Sequence, residues 1–377
     1  MKIPLFKIYW DEEDVRAVSE VIRSGMYWTT GPKSKEFEKN IADYLGMKHA
    51  VVFNSGTSAL HAALLAHRIK DGEVIVPSFT FIATANVLLM AGAKPVFADI
   101  ETKTLGLDPE DVQKKITSKT KAIIPVHYGG SPCLIRELEE VAEDHKLCLI
   151  EDAAESFGAR IGKEKVGSFG DSAMISFCQN KVVTTGEGGA VVTDSQEACK
   201  RLKLVRSHGR LENMDYFSTW KEMDYVDLGY NYRMSDITAA LGISQLKKID
   251  KLVGMRRGNA AQMTKRLSKV KGVVPPSPPK GYYHIYQMYT IRMKNGRKAR
   301  DDLAEHLGEI GVSTKVYFYP VHSTHFYKNV LKYRCKLPVT EKLSQQVLSF
   351  PIYPSMTTEE IEYIAQGVES FQKVGKK

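Results

Sequence analysis

The chain has 377 residues, with an apolar fraction of 43% and a charged fraction of 26%, values that are typical of a folded globular protein. This balance excludes a disordered, collagen-like or coiled-coil protein, and the length suffices for one large domain and one smaller one. No apolar run approaches the roughly 18 residues that cross a bilayer, and acidic residues follow the N-terminus too closely for an export signal. We therefore expect a cytoplasmic protein without a membrane partner.

The formal net charge of +9 arises from 53 Lys and Arg residues against 44 Asp and Glu residues. These bases occur in brief, interrupted stretches, a pattern that favours a phosphate-bearing metabolite over a nucleic acid as the partner. The five cysteines are odd in number and widely spaced, without a CxxC pair or a Cys/His ligand spacing. We expect reduced thiols and no metal site.

Short apolar strands alternate with helices through the first two thirds of the chain. The predicted strands are 50–53, 73–76, 95–98, 122–126, 147–150, 172–177 and 189–193, and the predicted helices include 59–66, 82–90, 134–145 and 237–268. Continuous apolar strands separated by helices predict an α/β protein with a mostly parallel sheet between helices. The proline-rich run 275–279 indicates a surface connection. We expect a large domain over 1–250 and a smaller C-terminal α+β domain over 251–377.

Polar residues follow three of these strands, at the edge of the sheet where ligands collect. The run 54–58 (Asn-Ser-Gly-Thr-Ser) offers backbone N–H groups to a phosphate, although Ser and Thr are also ordinary helix N-caps. Asp152 is suited to a metal, a ribose or a protonated ring nitrogen, or it caps a helix. Lys181 precedes the glycine-rich turn 184–189 and is either a solvated side chain or a reactive amine. Together, these residues predict a cofactor with a phosphate, a ring nitrogen and an aldehyde.

As a set, these motifs resemble the DegT/DnrJ/EryC1/StrS family, and they occur in the family's order over nearly the whole chain. They are Asn54-Ser-Gly-Thr-Ser-Ala-Leu60, Pro77-Ser-Phe-Thr-Phe-Ile-Ala-Thr84, Glu151-Asp-Ala-Ala154, Ser176-Phe177, Lys181, Gly186-Glu-Gly-Gly189 and Gly229-Tyr-Asn-Tyr-Arg-Met234. The resemblance implies the aspartate-aminotransferase fold (fold type I) and the cofactor pyridoxal 5′-phosphate, PLP, with its amine form PMP. The runs around Asp152 and Lys181 look most like the perosamine-synthase group. This likeness implies amination of a nucleotide-linked 4-keto-6-deoxy sugar, with L-glutamate as the expected amino donor.

The resemblance also implies roles for individual residues of the cofactor site. Lys181 would bind the cofactor covalently and then move a proton, which makes it the catalytic residue. Asp152 would pair with the protonated ring nitrogen, and Phe81 would stack on the ring unless it is simply a core aromatic. The residues expected to hold the phosphate are Gly56, Thr57, Ser58 and Ser176, with Asn231 supplied by a second subunit. The family pattern therefore implies a homodimer with shared active sites.

Three more residues are expected to bind substrate. Arg233 is a candidate contact for the substrate or for the donor carboxylate. Tyr319 matches a position that reaches into the partner's site, but relatives with a His-Tyr-Pro sequence there have His in place of Phe318. His322 lies near the sugar in this interpretation, and a purely structural role is the alternative.

Glu155 departs from the family pattern, because many relatives have Gln or His at this position, beside the phenolic oxygen of the cofactor. An ionised carboxylate would repel that oxygen, so we expect Glu155 to be protonated or bridged by water. Two alternatives to an aminotransferase stay open at this point. One is a PMP-dependent sugar dehydratase, in which histidine replaces the anchoring lysine, and the other is a non-catalytic regulatory protein of the same fold.

Overall fold

The computed structural model describes residues 1–211, 219–220 and 222–374. The α-helices are α1 (Glu12–Ser24), α2 (Pro32–Leu45), α3 (Gly56–Ala66), α4 (Ala83–Met90), α5 (Pro109–Lys115), α6 (Ile135–His145), α7 (Gln196–Arg206), α8 (Asp236–Leu246), α9 (Ile249–Leu267), α10 (Gly296–Glu309), α11 (Pro338–Ser344) and α12 (Thr358–Val374). The strands are β1 (His49–Phe53), β2 (Glu73–Pro77), β3 (Lys94–Ala98), β4 (Thr120–Ile123), β5 (Cys148–Asp152), β6 (Arg160–Ile161), β7 (Glu164–Lys165), β8 (Ser172–Ser176), β9 (Gly189–Thr193), β10 (Val273–Val274), β11 (Tyr282–Tyr283), β12 (Tyr289–Met293) and β13 (Val347–Phe350).

The large sheet lies at the centre of the molecule. In the described part of the chain it has seven strands, in the order β1-β9-β8-β5-β4-β2-β3. The pairs from β8 through β5, β4 and β2 to β3 are parallel, whereas β9 runs antiparallel to both of its neighbours, β1 and β8. The predicted mixed, mostly parallel sheet between helices is therefore confirmed.

Both faces of the sheet are buried. Successive side chains of a strand point to opposite faces, so one strand contributes to two apolar clusters. In β1, for example, Val51 and Phe53 pack into one apolar cluster, and Ala50 and Val52 pack into another. Burial on both faces is the reason why these strands are continuously apolar, and this apolar composition is what predicted the sheet from the sequence.

The C-terminal part of the chain has an apolar core of its own, built around β12, β13, α10 and α12. Helix α9 belongs to both parts, because Leu252 packs under the large sheet and Met263 packs into the C-terminal core. The N-terminal residue Ile3 also packs into the C-terminal core. The proposed boundary at residue 250 stays a prediction.

The predicted single helix over 237–268 is wrong, because the chain forms α8 and α9 with a break at 247–248. The ammonium group of Lys248 lies 2.6 Å from Asp11 and 2.8 Å from Asp14, in a largely buried ion pair at the start of α1. Residues so distant in the sequence leave no local signal, so the apolar periodicity alone continued the helix across the break.

Candidate active site

A cleft of about 360 Å³ opens at the carboxyl ends of β1, β5 and β8. Seven of the residues predicted from the sequence line it, namely Gly56, Thr57, Phe81, Asp152, Glu155, Ser176 and Lys181. The fold thus brings together the anion-binding turn, the acid and the lysine, which lie up to 125 positions apart in the chain.

The first turn of α3 forms the anion-binding side of the cleft. Ser55 caps the helix by accepting the Ser58 backbone N–H at 3.1 Å, so α3 begins at Gly56, three residues before the predicted start. A Cβ atom placed on Gly56 would lie only 2.9 Å from the Cβ of Ser176. The backbone of Gly56 therefore lies directly against Ser176, which only a residue without a side chain permits. The N-terminus of α3 at this point favours an anion.

Asp152 supplies a buried carboxyl group to the lining of the cleft, and this residue is only 4% exposed. The Thr84 hydroxyl donates to its Oδ2 at 2.8 Å, and the Ala154 N–H donates to its Oδ1 at 3.2 Å. Burial raises the pKa of Asp152 above its ordinary value. A cation bound in the cleft would favour the ionised form, which suits a carboxylate whose partner is a protonated ring nitrogen.

Lys181 and Glu155 face each other within the cleft. The Lys181 Nζ lies 3.6 Å from Glu155 Oε1, and both side chains are mostly buried. The second carboxyl oxygen, Oε2, accepts the Gly129 N–H at 2.9 Å. Burial raises the pKa of Glu155, which favours the protonated form that we expected beside the cofactor.

Phe81 differs from a core aromatic, because 61% of its surface is exposed. Its ring lies at the wall of the cleft, with the ring of Phe318 6.4 Å away between centroids. An exposed aromatic at this place is available to stack on a planar ligand. Stacking on the cofactor stays a prediction.

Five predicted residues do not line this cleft: Ser58, Asn231, Arg233, Tyr319 and His322. The hydroxyl of Ser58 donates to Asn54 Oδ1 at 2.5 Å, and its N–H is bound to Ser55, so Ser58 serves the helix cap. His322 is buried, with Nδ1 2.7 Å from the Ser78 hydroxyl and Nε2 3.5 Å from Glu341. These contacts match the structural alternative for His322.

The other three lie on the strand-like segment 229–234 or on the later loop. Asn231 is exposed, and its carbonyl accepts an N–H of Asn54 at 3.2 Å. Arg233 donates to the Ser207 hydroxyl at 3.2 Å. Tyr319 is 64% exposed, and its hydroxyl donates to the Ser323 carbonyl at 3.3 Å. Their proposed ligand contacts stay predictions.

The cleft also contains residues that were not predicted to bind a ligand. Thr84 ends the motif 77–84, but nothing in the sequence indicates that its hydroxyl donates a hydrogen bond to Asp152. Lys315, Tyr317 and Phe318 come from the C-terminal part of the chain. The backbone of Lys315 pairs with Ser349 by two hydrogen bonds of 3.1 and 2.8 Å, which places this segment against the cleft. No local pattern marks such a contact.

Two results concern the described residues alone. No three His, Cys, Asp or Glu side chains within them come together as a metal site requires. Over the same ranges, no helix combines the length and apolar character that a membrane span needs. Each of the five cysteines lies in a described range, and none of them forms a disulfide there.

The raised pKa of Glu155 leads to a first prediction. A buried acid whose pKa is higher in the folded than in the unfolded state contributes stability at low pH, which is lost as the pH rises through the folded pKa. Glu155→Gln removes this loss, so we expect the thermal midpoint of the cofactor-free variant to fall less than that of the wild type as the pH is raised from about 4 to neutral.

Thermal unfolding of both cofactor-free proteins over this pH range makes the comparison. We also expect the variant to bind the cofactor and to keep much of its activity. Parallel pH profiles, or a variant that no longer binds the cofactor, would show that Glu155 acts as an ionised group.

The sequence profile of the DegT/DnrJ/EryC1/StrS aminotransferase family matches residues 9–369. The GDP-perosamine synthase of Escherichia coli O157:H7 is 35% identical over 370 residues, which cover 98% of each chain. The GDP-perosamine synthase of Caulobacter vibrioides is 36% identical over 337 residues, covering 89% of this chain and 88% of its own.

Solved structures agree with this match. PseC of Helicobacter pylori, an aminotransferase of pseudoaminic acid biosynthesis, superposes with a TM-score of 0.93 at 31% identity, covering 99% of this chain and 100% of its own. An aminotransferase from Psychrobacter cryohalolentis gives a TM-score of 0.91 at 30% identity, covering 98% and 99% of the two chains.

The cleft fits the cofactor of this family. It presents a helix N-terminus with a glycine that leaves room for a phosphate, a buried carboxyl group for a ring nitrogen, and a lysine amine for an aldehyde. The predicted enzyme class, cofactor and family are thereby confirmed. The chain belongs to the DegT/DnrJ/EryC1/StrS family of PLP-dependent sugar aminotransferases.

Proposed function

We propose that this enzyme transfers an amino group to C4 of a GDP-linked 4-keto-6-deoxy sugar, with L-glutamate as the amino donor. One observation carries the proposal: Lys181, Asp152 and the first turn of α3 share one cleft in a chain whose relatives include several GDP-perosamine synthases. Those relatives are 33–36% identical over most of their length. The net charge of +9 also suits an anionic nucleotide sugar.

In this proposal, each residue of the cleft has a definite task. Bound PLP supplies an electron-withdrawing ring that stabilises negative charge on the reacting carbon. Asp152 would keep the ring nitrogen protonated, and the N-terminal turn of α3 would hold the phosphate together with Ser176. The amine of Lys181 would hold the aldehyde group of the cofactor, and it would carry the proton that the reaction has to move. The Oε1 atom of Glu155 lies 3.6 Å from that amine.

The two alternative functions are less well supported. A PMP-dependent dehydratase has histidine at the anchoring position, whereas this chain has Lys181 in the cleft. A regulatory protein without catalysis has no need to keep the lysine, the buried Asp152 carboxyl and the glycine-backed anion site together. A colourless protein that binds nucleotide sugars without reacting with PLP would favour the regulatory alternative.

We also propose that the active enzyme is a homodimer with shared active sites. Asn231 and Tyr319 are exposed and do not line the cleft of their own chain. Leu228, three positions before Asn231 in the chain, is a large apolar residue that is 74% exposed. Contacts with a second copy would bury this surface. Sedimentation of an active monomer would contradict the proposal. The expected cytoplasmic location stays a prediction.

The substrate is tested by single-turnover kinetics. Enzyme loaded with PMP is mixed with a panel of GDP- and UDP-linked 4-keto-6-deoxyhexoses, and loss of the PMP absorption is followed. We expect the best GDP sugar to react at least about tenfold faster than any UDP sugar, because discrimination rests on contacts to the nucleotide. L-Glutamate should then regenerate PMP faster than other amino acids.

The Lys181→Ala variant loaded with PMP is the matched control, since it keeps the cleft but lacks the proton carrier. A faster reaction with a UDP sugar would contradict the nucleotide assignment. No reaction with any 4-keto sugar, in an enzyme that does accept glutamate, would contradict the proposed substrate class.

A further inference from the structure

The residue before Asp152 carries a second, fully buried carboxylate. Glu151 has no exposed surface, and neighbouring residues of a strand point to opposite faces, so its carboxylate lies on the far side of β5 from the cleft. A buried charge is unfavourable unless donors surround it. The Glu151 oxygens accept backbone N–H groups of Gly167 at 2.8 Å, Phe169 at 2.8 Å and Gly170 at 3.0 Å.

The fourth donor to this carboxylate is His127, which is also completely buried. Its Nε2 lies 2.9 Å from Glu151 Oε2, and its Nδ1 accepts the backbone N–H of Cys133 at 3.1 Å. Because Nδ1 is an acceptor, the ring hydrogen is on Nε2 and points to Glu151. Both ring nitrogens are therefore held, and the imidazole has one orientation.

His127 begins a tight turn, 127–130, that reaches the active site. The His127 N–H donates to the Asp152 carbonyl at 3.2 Å. Two residues later, Gly129 adopts a left-handed conformation with φ of 62°, and its N–H donates to Glu155 Oε2 at 2.9 Å. The turn thus connects the buried Glu151–His127 pair on one side of the strand with the Glu155 carboxyl in the cleft.

We propose that Glu151 and His127 are positioning residues that fix the turn 127–130, so that the Gly129 N–H holds Glu155 at its place beside Lys181. This inference rests on the proposed role of Glu155 next to the cofactor. If the Glu151–His127 pair only stabilised the fold, its removal would lower the free energy of unfolding and leave the protonation of Glu155 unchanged. The connection through Gly129 predicts a specific electrostatic effect.

The effect follows from the donors and charges around Glu155. The Gly129 hydrogen bond favours the ionised carboxylate, so loss of this bond makes protonation easier. The titratable groups that face Glu155 are Lys181, Asp152, Tyr128 and Tyr317. The absorption of the bound cofactor reports on the charge in this cluster, so its pH midpoint should respond when the turn is released.

The test is a double-mutant cycle on the holoenzyme without substrate. His127→Ala is made in the wild type and in Glu155→Gln, and the cofactor absorption is titrated with pH. We expect His127→Ala to shift the midpoint by at least about 0.5 pH unit in the wild type and by much less in Glu155→Gln, because only the former has a carboxyl to release. His127→Gln, which keeps a donor for Glu151, should restore most of the midpoint.

Asp99→Asn is the matched control for stability. Asp99 is a buried carboxylate that accepts the Val339 and Thr340 N–H groups at 2.9 and 2.7 Å, and it does not line the cleft. We expect this variant to lower the thermal midpoint without moving the pH midpoint. Should His127→Ala fail to fold, Glu151→Gln carries the same comparison.

Equal pH shifts in the wild-type and Glu155→Gln backgrounds, or no shift in either, would overturn the proposal and leave the pair with a purely structural role. The measurement needs no sugar nucleotide, so it stands even if the proposed substrate is wrong.

Discussion

The Lys181→Ala variant is expected to lose the yellow colour of the holoenzyme and to lower kcat by at least about 10³-fold. Two functions disappear together in this variant, the covalent attachment of the cofactor and the transfer of the proton. Lys181 lies in the cleft beside Glu155, and its side chain is only 13% exposed. Water at this position would not replace the lost amine. Absorption spectra and borohydride trapping measure the attachment, and single-turnover rates measure the proton transfer.

Lys315→Ala is the matched control, because Lys315 is a second lysine that lines the same cleft. It should keep the colour and remain sensitive to borohydride. If Lys181→Ala stayed yellow and Lys315→Ala did not, the anchoring amine would be Lys315, and the assignment from the motif would be wrong.

The second large effect is expected for Asp152→Asn, which should lower kcat by about 10²–10³-fold while the cofactor still binds. Asparagine keeps the volume of the side chain and can still accept the Thr84 hydroxyl, which lies 2.8 Å from the carboxyl in the wild type. It lacks the negative charge that keeps a ring nitrogen protonated, so the ring would withdraw electrons less strongly. Steady-state kinetics measure the loss in kcat, and titration with the cofactor measures whether binding is retained.

Thr84→Val provides the comparison, because it removes one hydrogen bond to Asp152 and leaves the carboxylate in place. We expect a loss of less than about tenfold in kcat, the value of a single hydrogen bond. Equal losses for Thr84→Val and Asp152→Asn would mean that geometry, rather than charge, is the contribution of Asp152. A nearly unchanged kcat in Asp152→Asn would remove this residue from the cofactor site altogether.

The sequence was sufficient for the features that depend on short segments. The apolar composition of strands such as 73–76 predicts that they are buried, and their alternation with helices predicts a parallel sheet. Since parallel strands deliver their carboxyl ends to one edge, the polar residues after β1, β5 and β8 had to approach one another. The cleft lined by Gly56, Asp152 and Lys181 agrees with that expectation.

Features built from distant segments could not be read in this way. At the break before α9, Lys248 forms ion pairs with Asp11 and Asp14, which lie more than 230 positions earlier in the chain. Tyr317 reaches the cleft because the C-terminal part of the chain folds back onto the large sheet.

The sequence by itself therefore determined the type of sheet, the family and the motif residues at the strand ends, because composition, periodicity and local order express these directly. Only the tertiary structure decided which polar groups share a buried environment. Glu151 and Asp152 are adjacent in the chain, but they point to opposite sides of β5, and one binds His127 while the other faces the cleft. Hydrogen bonds and desolvation act through space, so their partners appear only after the chain has folded.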